Sequence, residues 1–482
     1  MNRKHISYIL LAAVIASTMA SAACGGENPS GGETTTAQNE TTTAVETSEF
    51  EAASLDMKGG DFVIAENDVG DWMQSAFVTE ENGDILNDAI YKRNMIVSDL
   101  YKVNIKGYKI QGGRNSQKLT ELTNSILAGD KEFDIAFIPG ELSSIIFNTP
   151  DYLIPLSEVK TLDLSHSWWD AQSVEAMTFL GKTISATGDM VVSTTGASTI
   201  TIFSKKIASD YNYDMYKIVN DGQFTLDKAY ELAQAVHADV NGDGKFEPDY
   251  DRYGLNLEAL NLSQMVNAAG EKMVKTNKDG IPEFTLNTPK AVEVVQKMIK
   301  VIDDYDSVVC GQDNRMKVSN FTNMFNEDRQ FLWVTNLQRM NSARSYTADF
   351  GLLPFPKYDE ADEYSAPVNP YWCSWIIVPA TNADNDSTGY MLDALGYYSK
   401  ELVTPAFIET SVTTKALRDD ESAKILASIL QNKVFDAGTY FNWGYWTLYR
   451  MMQNHNPNLA STIASEEATI QSSIDSFIEA IR

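Results

Sequence analysis

The hydrophobic pattern of this chain switches repeatedly between a strand period and a helix period. Asp61 to Ala65 (DFVIA) is a short apolar run that reads as a strand. After a polar loop, Ile85, Ala89, Ile96 and Leu100 recur at helical spacing and predict a helix over about 84–101. Residues 103–110 alternate and predict a second strand. Leu119, Leu122, Ile126 and Leu127 predict a helix over 116–129, with Gly129 as its stop. Phe133 to Ile138 (FDIAFI), closed by Pro139-Gly140, predicts a short buried strand. Such strand–helix alternation predicts a parallel sheet covered by helices.

A second unit of the same kind follows. Ser198 to Ser204 (STITIFS) is rich in β-branched residues and predicts a strand. Leu226, Ala229, Ala233 and Val236 mark a helix over 225–238, and Ala291, Val294, Val295, Met298 and Val301 mark another over 288–304. Phe331 to Thr335 (FLWVT) and Trp375 to Pro379 (WIIVP) predict further strands, and beyond Asp386 the pattern is helical to the end. The expectation is two α/β lobes and a helical C-terminal segment, without internal repeats.

The N-terminus carries a different signal. Arg3 and Lys4 precede an apolar stretch from Ile9 to Ile15 and a small-residue exit, the form of a secretory signal. Cys24 directly after Ser21-Ala22-Ala23 makes it resemble a bacterial lipoprotein signal, with Ser21 where that family usually has Leu. The resemblance implies cleavage after residue 23 and a lipid on Cys24. A spanning anchor would need about 20 apolar residues. Residues 24–59 are rich in Thr, Gly and Glu and bury too little apolar surface to offset their ordering entropy, so they predict a disordered stalk.

Composition sharpens this. The chain is 482 residues long with 43% hydrophobic residues, enough for a sizeable core. Its formal net charge is −28, and removal of residues 1–23 takes two bases and no acid. So acidic a surface argues against nucleic acid and against direct binding to anionic membrane, leaving the lipid as the membrane contact. Cys310 and Cys373 could pair in an oxidising compartment or remain buried thiols.

The sharpest local motif runs from Asp239 to Asp251 (DVNGDGKFEPDYD). Oxygen ligands at loop positions 1, 3 and 5 with Gly at 6 are what an EF-hand-type calcium site uses. Asp239, Asn241 and Asp243 would supply side chains and Lys245 its carbonyl, with Glu247 at position 9. Tyr250 occupies position 12, so Asp251, or in its place Asp249, would close the shell. The expected ion is structural, since no nucleophile adjoins it. Aromatic residues form a second constellation: Trp72 after the first strand, Trp333, the group Tyr371, Trp372 and Trp375, and the group Tyr440, Trp443, Tyr445 and Trp446. Flat rings with a few placed polar groups suit a small-molecule site, and Trp72 lies where ligands of α/β sheets bind, beyond a strand's carboxyl end. GxSxG, GxGxxG, Walker, HExxH and CxxC motifs do not occur, and His166, His237 and His455 are the only histidines after the signal. The reading is therefore of a binding protein, not an enzyme.

Together these features resemble the extracellular solute-binding lipoproteins of bacterial ABC importers, in the sugar-binding branch related to maltodextrin-binding proteins. Phe133 to Ile138 is similar to that family's third strand. Gly181-Lys182-Thr183-Ile184 through Gly188-Asp189 is similar to its stretch leading into the second lobe, with Ile184 in place of an aromatic residue. Asp251-Arg252-Tyr253-Gly254-Leu255 and the run Asp349 to Pro356 (DFGLLPFP) match two later strands. The resemblance implies a two-lobed periplasmic-binding-protein type II fold that closes by hinge motion on a carbohydrate, then docks as a monomer on permease subunits. It implies lobe 1 at 60–187 plus about 320–366, lobe 2 at 188–319 plus about 367–482, and crossings near 186–198, 320–350 and 366–386. It also implies that Trp72, Asp189, Trp333, Trp372, Trp375 and Trp443 line the cleft while Asp71 and Glu80 bond hydroxyls. A receptor for a peptide or polyamine, a polysaccharide-acting surface enzyme, and a signalling or adhesion lipoprotein remain as alternatives.

Overall fold

Short-range chemistry sets the first elements. In the computed structural model, which describes residues 50–67, 75–110, 118–313, 316, 318–339, 346–412 and 420–482, strand β1 spans Asp61–Asn67. Helix α1 (Ile85–Tyr101) begins where the Asp84 side chain accepts Leu86 and Asn87 N–H groups. Such a cap is worth about 1 kcal/mol. The helix ends at Lys102, which adopts the left-handed conformation at φ 51°. Strand β2 (Asn104–Ile110), helix α2 (Lys118–Ala128) and strand β3 (Ile135–Pro139) complete the alternation read from the sequence. The signal segment, Cys24 and residues 25–49 of the expected stalk lie outside the described residues, as do Asp71 and Trp72. The expectation of a disordered stalk reaching 59 is corrected: the Met57 and Gly59 N–H groups bond the Tyr101 and Lys102 carbonyls at 2.8 and 2.7 Å, so the chain is docked on the end of α1 before β1 begins.

The first sheet has the order β2-β1-β3-β10-β4, with β4 at Leu153–Ile154 and β10 at Ser374–Pro379. β1 runs parallel to β2 and β3, whereas β10 arrives antiparallel to β3, with Trp375 opposite Ile138. The second sheet has the order β7-β6-β8-β5-β9, built from β5 (Thr199–Ser204), β6 (Tyr253–Glu258), β7 (Val308–Gly311), β8 (Gln330–Asn336) and β9 (Phe350–Pro354). β6 is parallel to β7 and β8, and β5 is antiparallel to β8 and β9.

This topology corrects the expected division of the chain. Residues 320–366 were expected with the first lobe, yet β8 and β9 both belong to the second sheet, and β10, expected in the second lobe, returns to the first. All seven residues of β8 are buried, so it is a central strand, and a continuous apolar run does not announce which sheet it joins. The chain passes from the first sheet to the second through 184–198: Ala186 bridges to Ile376 of β10, and Ser198 bridges to Val368 just before β5. It returns through 355–373. The expected crossing near 320–350 is not one. Residues 52–482 form a single compact unit containing both sheets.

Helices cover the sheets. Helix α3 (Leu226–Val236) presses so closely on β6 that a Cβ at Gly254 would lie 2.1 Å from Ala233 Cα. Helix α4 (Pro289–Ile302), capped by the Thr288 side chain, buries Val294, Val295, Met298 and Ile302. The C-terminal helices α5 (Asn385–Tyr398), α6 (Thr404–Val412), α7 (Tyr445–Gln453) and α8 (Leu459–Ile481) follow, and a π-helical turn, Ser399–Val403, joins α5 to α6. Phe477 of α8 packs on Phe179, Phe441 and Trp443 at centroid distances of 5.2, 4.8 and 5.5 Å.

Candidate functional site

The carboxyl ends of β1 and β3 open into a crevice. Its floor is Glu66 and Asn67 at the end of β1, Phe137 and Pro139 at the end of β3, and Ser374 at the start of β10. Ile90 and Arg93 of α1 form one wall, and Met190 to Ser193 of the first crossing, with Val403, form another. This is where open α/β sheets hold ligands.

Charge inside the crevice is organised around one short segment. Glu66 Oε2 accepts the Ala76 N–H at 3.0 Å, while Oε1 accepts from the Ser75 hydroxyl and from Lys109 Nζ, the latter at 2.5 Å. Arg93 Nη2 donates to the carbonyl of that same Ala76. Its Nη1 reaches Ser399 Oγ at 3.0 Å and its Nε reaches Asn94 Oδ1 at 3.0 Å. Burial lowers the Arg93 pKa to about 10, against the opposing pull of Glu66, and the guanidinium stays charged at neutral pH. Opposite charges from β1 and α1 therefore grip both polar groups of Ala76. Asn67 differs: it is 6% exposed, and among the described residues neither its amide nitrogen nor its amide oxygen has a hydrogen-bond partner.

Just beyond Pro139, Glu141 N–H bonds the Pro370 carbonyl at 3.0 Å and brings β3 against the return crossing. The Tyr371 hydroxyl there is flanked by those of Tyr445 and Tyr449 from α7. Burial pushes all three phenols above their ordinary value, with Glu141 adding to the effect on Tyr371 and Tyr445. Trp372 beside them is half-buried. The crevice itself offers an amide and charged groups, and Tyr371, Trp372, Tyr445 and Tyr449 are not among the residues that line it. The two body cysteines are free and buried, and burial raises both thiols, which keeps them from acting as thiolate nucleophiles.

Several residues expected in the cleft are elsewhere. Trp333, Trp375 and Trp443 are core residues, each 1% exposed or less. Trp333 packs on Phe325 at 5.9 Å under the Arg339 guanidinium, Trp375 meets Tyr440 edge-on at 4.6 Å, and Trp443 stacks on Phe441 at 4.3 Å while its Nε1 donates to Ser473. The first two sit inside central strands with both faces covered, which is why they cannot line a cleft. Glu80 is exposed near the start of α1, where its carbonyl accepts from Asn87 Nδ2, and it does not line the crevice. Asp189 directly precedes the wall residue Met190. It accepts a hydrogen bond from Thr404 Oγ1 at 2.5 Å, and burial raises its pKa to about 6.

Asn67, Glu66, Arg93, Lys109 and Tyr449 were not singled out from the sequence, though two signals were present. Glu66-Asn67 ends the first strand at its carboxyl edge, and Arg93 occupies an apolar-stripe position between Ala89 and Val97.

The acidic loop 239–251 closes on its own backbone. Asp239 accepts Gly242 N–H at 2.6 Å and Gly244 N–H at 2.8 Å, Asn241 accepts Asp243 N–H, and Asp243 accepts Lys245 N–H. Asp251 accepts the N–H groups of Val240 and Glu247, both at 2.8 Å. Glu247 contributes its backbone only to these contacts. Among the described residues, no three His, Cys, Asp or Glu side chains gather to hold a metal ion. The acids as placed do not form a calcium cage.

No protein-family model matches the chain, and no curated protein matches it. Solved structures do. An ABC substrate-binding protein from Listeria monocytogenes in complex with cycloalternan is 12% identical with a TM-score of 0.57, covering 86% of this chain and 99% of that one. The maltose/maltodextrin-binding domain of Bdellovibrio bacteriovorus bound to maltotriose is 16% identical with a TM-score of 0.51, covering 88% and 100%. The GacH receptor of Streptomyces glaucescens, solved unliganded and with acarbose, is 13% identical with a TM-score of 0.53, covering 88% and 98%. At these identities the likeness is one of fold, and the chain has the type II periplasmic-binding-protein fold that these receptors share.

Proposed function

We propose that this protein is the extracytoplasmic receptor of an ABC importer and captures a carbohydrate in the crevice beyond β1 and β3. The observation that carries this reading is the Asn67 amide. A buried amide with neither group bonded costs about 1–3 kcal/mol, and a sugar hydroxyl, donor and acceptor at once, relieves it on both sides. Tyr371 and the half-buried Trp372, which precede the lining residue Ser374 in the chain, would supply further polar and stacking contacts on closure. The reading is supported by receptors of the same fold that hold cycloalternan, maltotriose or acarbose. Capture and release need no bond to be made or broken, so the protein acts without catalysis. The crossings at 184–198 and 355–373 would serve as the hinge, and permease subunits would receive the loaded form. A lipid on Cys24 would tether a monomeric body to the outer face of the cell membrane through the segment that follows it, up to where the chain docks on the body near Met57.

Mass spectrometry of small molecules carried through purification tests the central claim, together with thermal shift against neutral oligosaccharides including maltotriose and maltotetraose. Bound ligand raises the melting temperature by mass action. A co-purified peptide or polyamine, with no response to any oligosaccharide, would reject the carbohydrate assignment. Intact-mass analysis of the membrane fraction separately tests Cys24 for a diacylglyceryl group.

A further inference from the structure

The π-helical turn Ser399–Val403 is anchored at both ends by polar contacts to different parts of the molecule. At its first residue, Ser399 Oγ receives Arg93 Nη1 from the crevice wall and donates to the Leu395 carbonyl at 2.6 Å. Just past its last residue, Thr404 Oγ1 donates to Asp189 on the first crossing. Val403 itself lines the crevice, as do Met190 to Ser193 on the other side of Asp189. One tight turn therefore touches the crevice through Arg93 and the crossing through Asp189. π-turns are rare and concentrate at functional sites, because their extra residue strains an otherwise regular helix.

We propose that this turn is a mechanical link between the crevice and the crossing, with Ser399 and Thr404 as positioning residues, so that the packing of Arg93 and the placement of Asp189 change together. The inference rests on the reading of the crevice as the ligand site, but its test uses no ligand. A ligand displacing the Arg93 wall would move the turn and, through Thr404, the segment about which the sheets reorient. The surroundings of Asp189 make the link readable. Lys400 from the turn, Lys433, and Asp170 at the start of the 171–176 helix face it along with Thr404. Lys433 is itself paired to Asp170 at 2.6 Å. Burial raises the Asp189 pKa from 3.8 to about 6, and the Thr404 hydroxyl works against that rise. The folded protein thus holds this proton more tightly than the unfolded chain does, and the stability due to Asp189 falls as pH rises through that window.

The test measures melting temperature against pH for the full chain. Each variant is compared with the same protein also carrying Asp189→Asn, which subtracts the other titrations. The wild type should show a difference curve that falls above pH 3.8 and bends to a plateau near the folded Asp189 value of about 6, and the position of that bend is the inflection compared among the variants. Thr404→Val removes a stabilising donor and should move the inflection up by about half a pH unit. Ser399→Ala, whose hydroxyl touches Arg93 and Leu395 and not Asp189, should move it in the same direction by a few tenths of a unit, and Ser399→Thr should restore it. A Ser399→Ala inflection equal to that of the wild type overturns the link, whether or not Thr404→Val moves. A flat wild-type difference curve overturns it as well. Failure of every sugar to bind would reject the carbohydrate assignment and leave these curves interpretable.

Discussion

Lys433 Nζ lies 2.6 Å from Asp170 Oδ2 with the two side chains only 15% and 8% exposed, so this ion pair is largely shielded from solvent. Asp170 also caps the 171–176 helix by accepting the Gln172 and Ser173 N–H groups. Burial works against the Lys433 ammonium, yet Asp170 holds its pKa above the ordinary value. Breaking such a pair from one side leaves a buried charge without its partner. We expect Lys433→Met to destabilise by about 3–5 kcal/mol, and the double variant Lys433→Met/Asp170→Asn to recover part of that loss. Chemical denaturation of the four proteins measures the coupling, and additive losses would show that the two groups act separately.

Asn67 should give opposite signs for stability and binding. Asn67→Ala removes a buried amide that has no partner among the described residues, so the ligand-free protein should be as stable as the wild type or slightly more so. Carbohydrate affinity should fall at least about tenfold, equal to about 1.4 kcal/mol. Calorimetry with the co-purified ligand, alongside denaturation of the ligand-free protein, reads both. A variant that loses stability and keeps its affinity would make Asn67 an ordinary structural residue.

The alternation of strands and helices up to Pro139 was legible because each element is amphipathic or short and apolar, with the cap Asp84 where the first helix begins, and Thr225 and Thr288 mark the later helices α3 and α4 in the same way. Sheet membership was not legible for β8 and β10. Both are buried on every residue, and only pairing with β5 or β3 decides where they go. The same burial hid the roles of Trp333 and Trp375, whose spacing looks alike whether a ring faces a core or a ligand. Asn67 and Arg93 escaped notice because a single polar residue at a strand end, or a lone arginine on an apolar stripe, acquires meaning only from what the fold brings against it.

Gly254 tests the closeness of sheet and helix that its position in the DRYGL stretch implies. A Cβ there would meet Ala233 Cα at 2.1 Å and Ala233 O at 2.3 Å, and both are backbone atoms that cannot rotate aside. Gly254→Ala should therefore destabilise by about 1–3 kcal/mol through overpacking, even though it adds one methyl group. Pairing it with Ala233→Gly should not rescue it, since the clash is with main chain. Equal denaturation midpoints for Gly254→Ala and wild type would show that α3 can move away from β6.

The 239–251 loop decides the calcium expectation. Asp239, Asp243 and Asp251 already accept backbone N–H groups, and those bonds hold the turn without an ion. Calcium needs about six to eight oxygens, so binding would require Asp243, Asp251 and Glu247 to regroup around Asp239. The sequence order of acids supports such an ion, whereas their present placement does not. With this placement we expect the melting temperature in chelator to stay within about a degree of that in millimolar calcium, because an ion that does not bind the native state adds nothing by linkage. Asp251→Asn, by contrast, should destabilise the protein by about 1–3 kcal/mol in either buffer, because Val240 or Glu247 then faces an amide donor. A calcium-dependent rise of several degrees that Asp243→Asn abolishes would establish the ion and reassign these carboxylates as its ligands.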